Sequence, residues 1–520
     1  MLVTEKIAQS GLDMLTAAGH EVDVREGLSP DELLAAVPGA AALVIRSATQ
    51  VTGEVLAAGT DLVVVGRAGI GLDNVDVATA TERGVMVVNA PQSNILSAAE
   101  QAMALLLAQA RNVPQAHAAL VAGKWERSKW EGVELHGKTL GVIGLGRVGA
   151  LVAQRALAFG MRLIAHDPYV SADRARAMGV ELRPLDELMA EADFVTVHLP
   201  KTPETIGLIG ADLLAKAKPG LRIINTARGG IVDEAALAAA IRDGQVEGAG
   251  LDVFAVEPTT ESPLFELPSV VVTPHLGAST VEAQDKAGVT IAEQVLLALA
   301  GDFVPYAVNV AATDVSETVR PFMPLAEQLG RFFACLHDEL PDRLEIEFHG
   351  ELAGTGTGIL TLSALKGLLG TVSDEPISYV NAPQLAERRG LEVREVSTVT
   401  SHDYKSLVTL RSSQHAVSGT LTGPGVTVEP RVVMVDDHNV DVPPTPHMLV
   451  VRNDDRAGMI GFVGTTIGNA GVSISNMHVG RSPTGPTALM VLATEGPVPD
   501  EVLVVLRADD GILDLNRVSL

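Results

Sequence analysis

The sequence predicts an α/β protein built on parallel sheets, closed at its C-terminal end by smaller α+β modules. Three observations predict it. Apolar runs of strand length alternate with helix-like stretches from the first residues to about residue 300. A glycine turn, Gly144-Leu145-Gly146-Arg147-Val148-Gly149, sits between one such run and one such helix. The last segment, from His447, carries the order β-α-β-β-α-β by itself.

Ahead of the glycine turn, strands are expected over 21–24, 41–45, 61–65 and 85–88, with helices over 30–37 and 52–58. That pattern is complete before the turn appears, so a separate unit precedes it. The Ala/Leu-rich segment 97–120 reads as one connecting helix. Residues 139–143 read as a buried strand, 150–159 as a helix, and 162–166 as a second strand closed by Asp167, 18 residues after Gly149. Strands over 194–198, 222–225, 248–251 and 270–273 continue a doubly wound sheet, a helix spans 281–300, and 305–309 leads out of it. From 316 to 440 the chain is Thr- and Val-rich, with short strands and turns such as Gly423-Pro424-Gly425, and carries no catalytic constellation. Residues 441–446 read as a linker. Strands over 447–453, 472–479, 488–493 and 512–518, with helices over 458–470 and 500–508, then form a ferredoxin-like module. It is too small for redox chemistry and suited to regulation.

Composition bounds the function. A formal net charge of −26 argues against nucleic acid and anionic membranes as partners, and it requires local cations for any anionic substrate. Apolar residues make up 47% of the chain, yet none of its apolar runs reaches 18 residues, so neither a membrane span nor a signal peptide is expected. Cys335 is the only cysteine; it excludes internal disulfides, favours a cytoplasmic setting and reads as a small core residue. No Cys/His cluster has metal-ligand spacing, so no metal is expected.

The order strand, glycine turn, helix, strand, acid is that of a Rossmann-type dinucleotide site. Gly144 makes the tight turn, Gly146 lets backbone approach a pyrophosphate, and Gly149 permits close helix–strand packing. The helix N-terminus faces the phosphates. A carboxylate at Asp167 accepts hydrogen bonds from an adenosine ribose and repels a 2′-phosphate, which favours NAD over NADP.

Three motifs follow later strands: Asn225-Thr226-Ala227-Arg228-Gly229-Gly230, Gly250-Leu251-Asp252-Val253-Phe254 running to Glu257-Pro258, and Thr273-Pro274-His275-Leu276-Gly277-Ala278. Oxidation of a 2-hydroxy acid needs a base, a cation for the carboxylate and a hydride acceptor. His275 is a candidate base, Glu257 a candidate partner that orients the ring and stabilises its imidazolium, and Arg228 a planar fork for a carboxylate. Singly, each has an ordinary reading as a surface charge, a turn residue or an element end. Together, at successive strand ends downstream of the glycine turn, they make a constellation.

These motifs resemble the D-isomer-specific 2-hydroxyacid dehydrogenases, and end to end the chain is similar to the long-form D-3-phosphoglycerate dehydrogenases with a C-terminal ACT domain. The front unit carries Val44-Ile45-Arg46-Ser47-Ala48-Thr49, Gly66-Arg67-Ala68-Gly69-Ile70-Gly71-Leu72-Asp73-Asn74-Val75-Asp76 and Asn94-Ile95-Leu96-Ser97-Ala98-Ala99-Glu100. The resemblance implies a discontinuous, flavodoxin-like substrate domain over 1–97 and 284–309, an NAD-binding domain over 98–283, an intervening domain over 316–440 and an ACT domain over 447–520. It implies oxidation of 3-phospho-D-glycerate to 3-phosphooxypyruvate with NAD, the first step of phosphorylated L-serine biosynthesis. By position, Arg228, Glu257 and His275 match the carboxylate clamp, paired acid and acid–base histidine. Arg46, Arg67 and Asn94 match substrate-pocket positions, and Arg127 a phosphate contact reaching a neighbouring subunit. Arg147, Val148, Asp167, Thr226, Asp252 and Ala278 match cofactor contacts; Asp252 reads equally as a structural strand-end acid.

An L-serine effector would be held where two chains meet, with Asn453 and Asp455 as candidate ligands. Ser473 stands where Asn is usual and Ala457 where Pro is common, departures that bear on effector affinity and identity. Shared sites imply a homo-oligomer, dimer or tetramer. The alternatives are a dehydrogenase for glycerate, hydroxypyruvate or 2-hydroxyglutarate, and an NAD(H)-sensing corepressor-like binding protein.

Overall fold

Four sheets organise the chain in a computed structural model that describes all residues except 312–314, 355, 374, 376, 402, 424–427 and 484. Pro424 and Gly425 of the expected turn therefore lie outside the described residues. The first sheet is parallel, with chain order 2-1-3-4-5 over Leu2–Val3, Asp23–Val24, Ala42–Ile45, Val64–Arg67 and Met86–Asn89. This is the flavodoxin-like order. Three elements of this unit had no counterpart in the reading: strand Leu2–Val3 and helices Gln9–Ala17 and Val77–Glu82. The helix Val281–Ala300 returns to this sheet and crosses Gln9–Ala17 so closely that a Cβ on Gly11 would lie 2.6 Å from the Gly288 carbonyl. Asn309 completes the return by accepting from Val87 N at 2.9 Å.

The expected single helix over 97–120 is two helices, Ile95–Arg111 and Val113–Val121. Asn112 between them is left-handed (φ +52°), and Pro114 in the first turn of the second has no N–H to continue the first. The uniform Ala/Leu pattern hid this break. The expected boundaries at 97–98 and 283–284 fall inside helices Ile95–Arg111 and Val281–Ala300.

The second sheet has seven parallel strands in the order Val270–Val272, Val246–Leu251, Leu221–Asn225, Phe194–Val197, Thr139–Ile143, Arg162–His166, Glu181–Leu182. Strand order reverses at Thr139–Ile143, so the glycine turn stands at the switch point where such sheets bind ligands.

A six-stranded mixed sheet, Arg343–Gly350 to His438–Val442, packs against helices Met323–Cys335 and Gly358–Val372. The sequence reads there as strands and turns and not as these helices; in the second, nearly every residue from Ile359 to Leu369 is buried, so that segment has no polar face to reveal a helical period. Strand His438–Val442 also runs two residues into the expected linker, where Asp441 pairs with Arg431 at 2.6 Å. The last sheet is antiparallel, ordered Ile474–Arg481, Ala488–Thr494, His447–Asn453, Ile512–Ser519, as in ferredoxin-like folds. Its inner face covers helices Met459–Asn469 and Asp500–Arg507, while Met448, Val450, Leu489, Val491 and Val518 join the core of the preceding unit. No described helix is long and apolar enough to cross a membrane.

Candidate active site

The glycine turn is built as its spacing requires. Gly144 is left-handed (φ +92°), a Cβ on Gly149 would overlap the Gly144 carbonyl, and a Cβ on Gly146 would meet only open space. Helix and strand are thus in backbone contact, while the turn's outer surface stays clear for a phosphate group at the N-terminus of helix Arg147–Ala158. Asp167 fixes the turn by accepting from Leu145 N (2.8 Å) and Tyr169 N (2.9 Å), one bond to each oxygen. Each oxygen keeps acceptor capacity for a hydroxyl. Val148, Thr226 and Ala278 line the adjoining cleft, whereas Arg147 is exposed outside it. The Thr226 hydroxyl is buried without a partner.

The cleft, of about 560 Å³, lies between the first two sheets at the carboxyl ends of their strands. Arg228 follows Leu221–Asn225. The Asn225 side chain accepts from Ala227 N and donates to Arg228 O, both at 3.0 Å, which folds the turn back on itself. Gly229 has no room for a side chain because the Phe254 carbonyl lies against it, so the Arg228 and Glu257 loops touch.

Glu257 Oε2 lies 2.6 Å from His275 Nδ1, and Oε1 accepts from Phe254 N at 2.8 Å. Desolvation pushes the Glu257 carboxyl up, but the bonds from His275 and Phe254, with Arg228 nearby, hold it below the usual range. The carboxylate therefore orients the imidazole through Nδ1, leaving Nε2 for chemistry. His275 itself is left-handed (φ +55°), a conformation that costs a non-glycine residue roughly 1–3 kcal/mol. Its N–H is held by Asp252 O at 2.8 Å. The fully buried Asp252 carboxylate gathers the loop by accepting from Thr273 Oγ1 (2.5 Å), Leu276 N (2.7 Å), Gly277 N (2.8 Å) and Gln101 Nε2 (3.5 Å). This geometry favours the structural side of the two readings of Asp252: it lies beneath the cleft wall with both oxygens engaged.

The opposite wall carries Arg46, Arg67 and Asn94. Glu5 pins the Arg46 loop by accepting from the backbone N–H groups of Arg46, Ala48 and Thr49 at 2.8–3.1 Å. Arg67 is mostly buried with its Nε unpartnered; desolvation, then the charge of Arg228, brings its pKa down to about 10. Asn94 precedes helix Ile95–Arg111 without capping it, and its Oδ1 is buried with no partner. Buried, unpaired donors and acceptors are costly, and these two are left unpaired at the cleft wall.

The sequence reading did not single out Glu5, Asp73, Gln101 or His198. His198 lines the cleft, pairs with Thr196 Oγ1 at 2.9 Å, and is driven down to about 4 by burial. Its position just after a strand is the only signal that marks it. Arg127, in the turn Arg127–Trp130, is exposed and does not line this chain's cleft. Nor does one chain bring the effector candidates together. Asn453 ends its strand opposite Ala488, where its Nδ2 donates to Ala488 O (3.0 Å) and its Oδ1 accepts from Asp455 N (3.1 Å). Asp455 pairs with Arg481 at 3.1 Å. Ser473 lies at the other end of the sheet, beside the Ile474–Thr494 pair.

Comparison with known proteins identifies the family. The family described as D-isomer specific 2-hydroxyacid dehydrogenase, NAD binding domain, matches residues 103–277, and the D-3-phosphoglycerate dehydrogenase intervening domain matches 318–436. The D-3-phosphoglycerate dehydrogenase of Mycobacterium tuberculosis is 51% identical over 527 residues, covering 100% of this chain and 99% of its own. That of Archaeoglobus fulgidus is 42% identical over 525 residues, covering 100% of both. Among solved structures, a protein from Thermus thermophilus is similar at TM-score 0.56 and 38% identity, over 59% of this chain and 99% of that one. An NAD-dependent formate dehydrogenase from Staphylococcus aureus, in complex with NAD, is similar at TM-score 0.51 and 29% identity, over 57% and 94%. The chain belongs to the D-3-phosphoglycerate dehydrogenases, NAD-dependent oxidoreductases of the D-isomer-specific 2-hydroxyacid dehydrogenase family.

Proposed function

We propose that the chain oxidises 3-phospho-D-glycerate to 3-phosphooxypyruvate, the first step of phosphorylated L-serine biosynthesis. The observation that carries this reading is one cleft lined by His275, which Glu257 orients through Nδ1, and by three arginines, 46, 67 and 228. NAD, when bound, supplies the acceptor for the C2 hydride. The glycine turn, Val148, Asp167, Thr226 and Ala278 would hold it; the open surface at Gly146 and the unpartnered Thr226 hydroxyl fit it.

His275 Nε2 takes the C2 hydroxyl proton as the hydride leaves, and the ionised Glu257 stabilises the imidazolium through Nδ1. Arg228 binds the substrate carboxylate. Arg46 and Arg67, with Asn94 beside them, receive the phosphate, and a partner chain's Arg127 position adds to that site in a homo-oligomer. Short-range charge-assisted bonds outweigh the repulsion of a net charge of −26 that salt screens. The last unit acts as an ACT domain. L-serine binds where two such domains meet, between the Asn453–Asp455 end of one sheet and the Ser473 end of another.

The test is NADH formation at mildly alkaline pH from 3-phospho-D-glycerate and from D-glycerate, each with and without L-serine. The reading expects phosphoglycerate to be preferred by at least about 10²-fold in kcat/KM, the discrimination expected when buried polar groups lose their partner, and serine to suppress the rate. Equal rates with D-glycerate contradict the phosphate site. A rate untouched by serine contradicts the effector site alone.

A further inference from the structure

Arg228 enters the cleft from the nucleotide-binding side, and Asp73 meets it from the opposite wall. Asp73 Oδ2 lies 3.2 Å from Arg228 Nε. Arg228 Nη1 donates to Ala227 O at 2.7 Å, which ties the guanidinium back to its own loop. Nη2 lies over Gly71, where any side chain would collide with it. A guanidinium binds a carboxylate best along an edge that presents two parallel N–H groups, and Nε with Nη2 forms the side edge. Asp73 meets that edge as an ion pair at Nε. Among the described residues lining the cleft it is the only acid, against Arg46, Arg67 and Arg228.

Resting on the reading of Arg228 as the carboxylate clamp, we infer that Asp73 is an internal stand-in for the substrate carboxylate. It holds the side edge of Arg228, bridges the two walls of the cleft, and swings aside when a 2-hydroxy acid binds. The two partners differ in freedom, which decides which one moves. The Asp73 side chain is 63% exposed and can rotate into water, whereas Arg228 is 29% exposed and anchored by Ala227 O. Asp73 thereby lowers the affinity of every carboxylate that seeks Arg228, and a ligand that also engages Arg46 and Arg67 competes with it best. Asp73 is thus a specificity-determining residue that acts through Arg228.

The inference is tested on the full-length enzyme with Asp73→Asn and Asp73→Ser, reading KM for 3-phospho-D-glycerate, KM for NAD, and the inhibition constant of oxalate as a small dicarboxylate probe. Losing an exposed ion pair of this kind is expected to lower the substrate KM and the oxalate constant together by about two- to fivefold, and the KM for NAD by less. In an Arg228→Lys background, which has no side edge, Asp73→Asn is expected to give no further gain. The same gain in both backgrounds would show a general charge effect and overturn the inference. So would an unchanged or raised substrate KM in the single Asp73 variants. If Arg228→Lys alone leaves both constants unchanged, the clamp reading falls and takes this inference with it. A responsive Arg228→Lys with a silent Asp73→Asn removes this inference alone.

Discussion

His275 holds a left-handed backbone that only its surroundings make tenable, and Asp252 supplies most of them. The roles of the two residues therefore separate in experiment. His275→Gln is expected to lower kcat by about 10²–10⁴-fold with folding intact, since general acid–base catalysis contributes that much. Glu257→Gln keeps the shape but removes the charge that stabilises the imidazolium, and is expected to lower kcat by about 10²-fold. Asp252→Asn turns an amide N–H₂ toward donors, and is expected to cost about 2–4 kcal/mol in denaturant unfolding along with activity. At this scale the sequence was most informative where a chemistry-bearing residue directly follows a strand, as Arg228 and His275 do. It was least informative for partners brought in from afar: Asp73 against Arg228, Glu5 beneath Arg46, and Gln101 on Asp252 are separated by tens to more than a hundred residues, and no local pattern records them.

Buried strands were legible as short apolar runs and most helices by their alternation with those runs, and Thr139–Ile143, Arg162–His166 and Val281–Ala300 fall at their expected limits. Of the helix pair Met323–Cys335 and Gly358–Val372, the second was not legible, because burial on nearly all sides erases its period, whereas the first keeps Pro324 and Arg331 exposed opposite an apolar face and was missed despite that helical pattern. These two helices meet through glycines: a Cβ on Gly330 would overlap the Ala364 carbonyl, and one on Gly367 the Glu327 carbonyl. Gly330→Ala is expected to destabilise this unit by about 1–3 kcal/mol, through overpacking against backbone that cannot yield, as read by its melting temperature. At the end of strand Phe194–Val197, His198 is held neutral by burial, at about 4 rather than 6.5. Between those values the unfolded chain binds a proton that the folded chain does not, so stability rises with pH. Acidification from pH 6.5 to 4 is expected to remove up to about 1.4 kcal/mol per pH unit, and a His198→Asn variant is expected to flatten that slope in urea titrations.

Across the whole molecule, the first two sheets bring their carboxyl ends to one cleft, and the last two units share a core that joins the first sheet through helix Val281–Ala300 and the segment after it. The Ser378 hydroxyl adds a direct tie by donating to Gly84 O at 2.9 Å. Alternation of strand and helix made the two parallel sheets legible, and the β-α-β-β-α-β order made the last one legible. The way the units dock was not, since docking depends on surfaces such as Gly84 against Asn381 that have no periodic signature. The central claim is that the residues gathered at these strand ends direct a C2 hydride from a 2-hydroxy acid to NAD. It is tested most directly by supplying 3-phospho-D-glycerate deuterated at C2, with NAD, to the enzyme and to its His275→Gln variant, and following the label by NMR. The account predicts deuterium at C4 of the reduced nicotinamide, formed about 10²–10⁴-fold more slowly by the variant. Reduced cofactor without the label, or an unchanged rate in the variant, would contradict it.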